Sequence, residues 1–131
     1  MKHSITLSTL EFVELPVTEK TIWQIAEIGD SDGVSTIVEI SLAGTFRSRN
    51  VYTEFAQLFS VLQGVAITDE AEIPTLAGIT NEDLQRDFKL ATVVSGLRSS
   101  VEQIQSIHQG ISLTEILGGS QMDSVPLYAN I

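Results

Sequence analysis

Side chains able to do chemistry are few in this chain, and they are scattered. Among its 131 residues are two histidines and no cysteine, so disulfides and thiolate chemistry are excluded. His3 and His108 stand near opposite ends of the sequence. Neither has a partner at His-x-x-x-His or Glu-x-x-His spacing, the pattern that places two ligands on one helix face. His108 falls near an apolar helical stripe and reads as a satisfied helix histidine. Asp30 and Asp32 beside Gly33 resemble the opening of a calcium loop, but no glutamate closes it at the required distance, and a turn is expected. Asp69, Glu70 and Glu72 read as favourable charge at the positive end of a helix dipole. Ser95-Gly96 and Ser99-Ser100 have no His–acid pair to activate them; small residues for close helix packing explain them. Gly118-Gly119 is not followed by Gly-Lys-Ser/Thr and so is not a phosphate loop. Trp23 is expected to pack within a hairpin.

The elements that would position these residues are strands first and helices after. From Val34 to Ala43, the residues Val34, Thr36, Val38, Ile40 and Leu42 point one way, and Ser35, Glu39 and Ser41 the other. This period of two marks a half-buried strand. Turn residues from Gly29 to Gly33 precede it, and a strand over 21–28 completes a hairpin. A third strand covers about 3–14, with its apolar phase slipping between Ile5/Leu7 and Leu10/Phe12, which predicts a bulge near Ser8 or Thr9. Pro16 ends it. A helix is predicted over 51–63, with Asn50 as N-cap and Gly64 as its stop. One or two helical turns follow in 69–77. The longest helix is predicted from Asn81 to Gln109, opened by a Thr80/Asp83 capping box, striped by Leu90, Val94, Leu97, Val101 and Ile104, and ended by Gly110. Ser112 with Glu115 predicts a final one-turn helix. Residues 124–131 alternate like a strand. The order of elements predicts an α+β fold: a three-stranded antiparallel β-meander followed by a small helical bundle.

Composition narrows the function classes. The formal net charge is -10, and the basic residues Lys2, Lys20, Arg47, Arg49, Arg86, Lys89 and Arg98 form no stripe. Nucleic acid and anionic membrane surfaces are therefore poor partners. No apolar run reaches the length of a bilayer span, nothing near the start reads as a signal peptide, and a cytoplasmic location is expected. The mean hydropathy is +0.19, positive for so acidic a chain. Either the core is well filled or an apolar face meets another domain.

The last third carries a resemblance. Ile111-Ser112-Leu113-Thr114-Glu115-Ile116-Leu117-Gly118-Gly119, followed by Val125-Pro126-Leu127-Tyr128-Ala129-Asn130, resembles the mandelate racemase/muconate lactonizing enzyme group of the enolase superfamily. In that group a long helix ends in glycine, a "Leu-Leu-Gly-Gly" turn follows, and the chain enters the first strand of a (β/α)8 barrel through a "Val-Pro-Leu-Tyr-Ala" type of sequence. The upstream order, a meander and then helices, agrees. The Asp32-Gly33 turn is kept, whereas Ala43-Gly44-Thr45-Phe46-Arg47 and Ser100-Val101-Glu102-Gln103 depart from the Gly-Trp-Gly-Glu-like and Ala-Leu-Trp-Asp-like segments of the group.

The resemblance implies that residues 1–123 form an enolase-like N-terminal capping domain and that 124–131 begin the first strand of a barrel this chain does not contain. In the family the barrel holds magnesium through three carboxylates and supplies the Lys or His base. It follows that this chain holds no cofactor or metal and is inactive alone as a lyase or isomerase. Its implied partners are a (β/α)8 barrel, or a second copy through the C-terminal strand. Family capping loops map to Leu15–Thr21 and Gly44–Asn50. They bring Leu15, Pro16 and Lys20 from the first loop, and Phe46, Arg47 and Arg49 from the second, toward the substrate. The arginine fork suits a carboxylate or phosphate; by themselves Arg47 and Arg49 read as solvated loop arginines. The other reading is a free-standing interaction domain that uses the apolar face which would meet the barrel.

Overall fold

The computed structural model describes residues 2–42, 51–120 and 122–129. Strands β1 (Ile5–Pro16), β2 (Ile22–Asp30) and β3 (Ser35–Glu39) form the antiparallel meander. The inward row follows the period-two pattern: Ile5, Leu7, Ile22, Ala26, Ile28, Val38, Ile40 and Leu42 are buried. The predicted bulge is present. Leu7 faces Asp30 but Thr9 faces Gly29, so β1 takes two steps where β2 takes one. Gly29 fits there because a Cβ would stand 2.3 Å from Thr9 Oγ1.

Two helices cover one face of the sheet. Helix α1 (Tyr52–Leu62) buries Phe55, Leu58, Phe59 and Leu62, and α4 (Phe88–Gln109) buries Val93, Val94, Leu97, Val101 and Ile104. These side chains and the inward strand row make one core. Gly96 sets how close α4 comes: a Cβ there would lie 3.0 Å from Ile40 Cγ2 and 3.1 Å from Phe55 Cε2. The reading of the 95–96 region as close packing therefore holds. The α4 end is also as expected. Gly110 takes a left-handed φ of 62°, and the Ile111 N–H donates to the Ser106 carbonyl at 3.2 Å, satisfying an orphan carbonyl of the last turn. Both predicted capping boxes form, Thr80 with Asp83 and Ser112 with Glu115, the latter opening α5 (Leu113–Ile116).

The structure departs from the expected elements in five places. A fourth strand, β4 (Ala66–Ile67), pairs with β1 through Ile5↔Ile67 and Thr6↔Ala66, giving the order β3-β2-β1-β4. Two residues are too few to show any period. The helix expected from Asn81 to Gln109 is two helices, α3 (Asn81–Arg86) and α4, because Asp87 is extended (φ −117°, ψ 101°) and caps α4 by accepting from the Leu90 N–H. Strands β1 and β2 run on to Pro16 and Asp30, while β3 ends at Glu39. The N-cap position of α1 is Val51, with no side-chain cap; Asn50 lies outside the described residues. The 69–77 region is a 3₁₀ turn at Glu70–Glu72 and a short α2 (Ile73–Leu76). Described residues 122–129 form no strand, and Leu127 and Tyr128 are 92% and 89% exposed.

Gln24 lies in the inward row with no exposure, and neither its Oε1 nor its Nε2 finds a partner among the described residues. An unpaired buried amide costs about 1–3 kcal/mol. Gln24→Met, which keeps the unbranched shape, should raise stability by ~1–2 kcal/mol, read from urea unfolding midpoints. Gly96→Leu should lower it by about 2–3 kcal/mol through overpacking, and the same titration reads the loss.

Candidate functional site

The expected capping loops leave the sheet at one end. Residues 17–21 join β1 to β2 in a tight turn. The Val17 and Thr18 N–H groups donate to the Thr21 carbonyl at 2.9 and 3.2 Å, and the Thr18 hydroxyl accepts from the Lys20 and Thr21 N–H groups at 3.2 and 3.0 Å. On the other side of β2, the Ile40 N–H donates to the Gln24 carbonyl at 2.8 Å, and the Ser41 hydroxyl accepts from the Gln24 N–H at 2.8 Å. Leu42 therefore arrives beside the β1–β2 turn, the place from which a second capping loop would start. Phe46, Arg47 and Arg49 lie outside the described residues.

Leu15, Pro16 and Lys20 are together at this end. Pro16 is the last rung, opposite Ile22. Leu15 stands opposite Trp23, and with Val17 they remain 43%, 48% and 47% exposed. The Trp23 ring thus has a neighbour across the hairpin, as expected, yet about half of it faces outward. Behind the rim, the Tyr52 hydroxyl donates to Glu14 Oε1 at 2.9 Å, and its ring tilts against Phe12 with centroids 4.7 Å apart. Burial, and then the Glu14 carboxylate, push the phenol up to about 12. The rim is apolar, and its turn carries one amine, Lys20, beside one carboxylate, Glu19. Among the described residues it presents no nucleophile held by a base, and the buried Ser100 hydroxyl is spent on the Gly96 carbonyl at 3.0 Å.

The apolar rim continues over the uncovered side of the sheet. Val13, Leu15, Trp23, Ile25 and Ile37 point away from the helices, interspersed with Glu11, Glu27 and Glu39. Glu11 and Glu27 stand directly opposite each other, an unfavourable like-charge pair.

The acidic cluster has structural work. Asp69 caps the 3₁₀ turn by accepting from the Ala71 N–H at 3.0 Å and pairs with Lys2 at 3.2 Å, while the buried Glu70 pairs with Arg98. His108 is satisfied, as expected: its Nε2 lies 2.5 Å from Asp30 Oδ2. Burial raises the Asp30 carboxyl, but the His108 hydrogen bond and charge, with the Val34 and Asp32 N–H groups, together hold it below the usual range. Nothing in the local pattern signals that His3 meets His108. Their rings stack with centroids 4.3 Å apart, a contact made by tertiary packing alone.

No protein-family model and no curated protein matches the sequence. The fold does match solved structures. A mandelate racemase/muconate lactonizing enzyme from Bordetella bronchiseptica RB50 superposes with a TM-score of 0.66 at 21% identity, over 90% of this chain and 34% of that one. A muconate cycloisomerase from Azorhizobium caulinodans gives 0.70 at 16% identity, over 95% and 34%. A mandelate racemase/muconate lactonizing protein from Herpetosiphon aurantiacus gives 0.57 at 16% identity, over 81% and 30%. The chain therefore has a fold found within these proteins and spans about a third of their length.

Because folding raises the Tyr52 phenol, its contribution to stability is complete below its ordinary value of 10.0 and is lost as pH rises through about 12. Glu14→Gln should lower the Tyr52 midpoint part of the way toward 10.0, because burial remains. Phenolate absorbance in a Tyr128→Phe background, where Tyr52 is the sole tyrosine, measures it.

Proposed function

We propose that this chain is the N-terminal capping domain of a mandelate racemase/muconate lactonizing enzyme-like protein, and that it covers the mouth of a (β/α)8 barrel. The observation that carries the reading is the fold match, over 90% of this chain but 34% of the Bordetella enzyme. Two features support it. Residues 111–130 read like that group's passage from capping domain to barrel, and the β1–β2 turn carries an exposed apolar rim beside the start of residues 43–50. In this role Leu15, Pro16 and Lys20 face the substrate from one loop and Phe46, Arg47 and Arg49 from the other, the arginines suiting an anionic substrate.

The barrel supplies the carboxylates that hold magnesium and the base that removes a proton. The group of candidate ligands among the described residues, His3, Asp32 and His108, offers nitrogen donors rather than the all-oxygen set magnesium takes. The uncovered sheet face with Val13, Trp23 and Ile37 favours a second reading, a free-standing interaction domain that binds a partner there.

The intact mass of the protein in its source separates the two. A species near ~40 kDa is expected if a barrel of about 250 residues follows; one of 14.2 kDa that never co-elutes with a barrel overturns the capping role and favours the interaction domain. The purified chain with magnesium should show no turnover of sugar acids or muconate, and measurable turnover would overturn its inactivity.

A further inference from the structure

The capping role leaves unused a cluster at the entry to β1, where three distant parts of the chain converge. His3 precedes β1, Asp30 and Asp32 lie at the β2–β3 turn, and His108 is in the last turn of α4. Both histidines of the chain are here. Their rings stack with centroids 4.3 Å apart and planes inclined by 26°. His108 Nε2 is 2.5 Å from Asp30 Oδ2 and 4.0 Å from Asp32 Oδ2. One ligand atom from each of His3, Asp32 and His108 lies within 4.8 Å of the other two.

The fold holds this arrangement in place. The Asp30 side chain is 1% exposed, and its Oδ1 accepts from the Asp32 and Val34 N–H groups at 3.0 and 2.9 Å, which fixes the turn. The Ser31 N–H donates to the Thr6 carbonyl at 2.9 Å, tying the turn to β1. Gln105, within a helical turn of His108, donates its amide to the His3 carbonyl at 2.8 Å.

We propose that His3, Asp32 and His108 bind one divalent transition-metal ion of the zinc type, with the buried Asp30 carboxylate holding His108 Nε2 so that the other ring nitrogen, Nδ1, is the one that ligates. Two imidazoles and a carboxylate are a donor set that suits zinc, and a carboxylate bonded to a ligating histidine is the usual support behind such a site. An ion replaces the protons on the two imidazoles when it binds, and a divalent charge balances the two carboxylates. Calcium and magnesium are disfavoured because they take six or more oxygens. Ligand atoms on a tetrahedral zinc lie ~3.4 Å apart, given bonds of about 2.0–2.1 Å. Closing the cluster therefore requires the ligand atoms to approach by about 1 Å and the His3 ring to turn out of its stack on His108, because imidazole lone pairs lie in the ring plane; the exposed His3 and Asp32 side chains can make these movements. The ion would clip the start of β1 to the β2–β3 turn and the end of α4, stabilising the folded chain by mass action.

The test is calorimetric titration of the full chain, prepared without a histidine tag, with zinc chloride, together with thermal unfolding with and without zinc or magnesium. Expected are one equivalent bound at micromolar Kd or tighter, a higher Tm with zinc, and no such rise with magnesium. His3→Gln and Asp32→Asn change exposed side chains. Each should weaken binding by about tenfold or more while leaving the metal-free Tm close to that of the parent. Absence of saturable zinc binding, binding unchanged in both variants, or an equal Tm rise with magnesium would overturn the site. The capping role stands or falls separately, on the mass of the source protein.

Discussion

Helix α4 can lie against β3 and α1 only because residue 96 has no side chain. With Ile40 Cγ2 and Phe55 Cε2 at 3.0 and 3.1 Å from where a Cβ would be, a methyl there would press on both side chains, and a larger residue would force the helix outward. That one approach brings Val93, Leu97, Val101 and Ile104 into the core without exposure. It also carries the far end of the same helix to Asp30 and His3, so the polar cluster at that end depends on apolar packing roughly three turns away.

Helices cover a single face of the sheet, and this one-sidedness shapes the rest of the surface. The covered face is filled by aliphatic and aromatic side chains. The other face alternates apolar residues with glutamates, including the opposed Glu11 and Glu27. Such a face offers apolar contact area broken up by charge. The cations are few, and several are engaged in ion pairs: Lys2 with Asp69, Arg86 with Glu82, Lys89 with Glu54 and Arg98 with Glu70. Most are partly exposed and contribute little to stability. The excess negative charge is left to the surface.

What was legible in the sequence was whatever local rules determine. The alternation through Thr36, Val38 and Ile40, the bulge beside Thr9, both capping boxes and the Gly110 stop all depend on neighbours a few residues away. β4 was missed because its two residues are made a strand only by pairing with Ile5 and Thr6. The break at Asp87 was readable in principle, since aspartate is a strong N-cap, but the apolar stripe ran through it and outweighed it. The hairpin tip with Leu15, Pro16 and Lys20 followed from the turn residues, while the His3–His108 stack followed from nothing local. Their meeting is a product of tertiary packing, to which periodicity is blind.

Gln105 gives the fold an order of assembly. Its amide joins the carbonyls of His3 and Thr68, at 2.8 and 2.7 Å, across separations of 102 and 37 residues. The β1–β2 hairpin leaves a ribosome well before α4, the helix that latches its leading edge. Until then the inward faces of Leu7 and Ile28 have no α4 to meet. A nascent chain therefore carries an unlatched, half-covered sheet until α4 emerges, and this is the interval in which a holding chaperone would matter most.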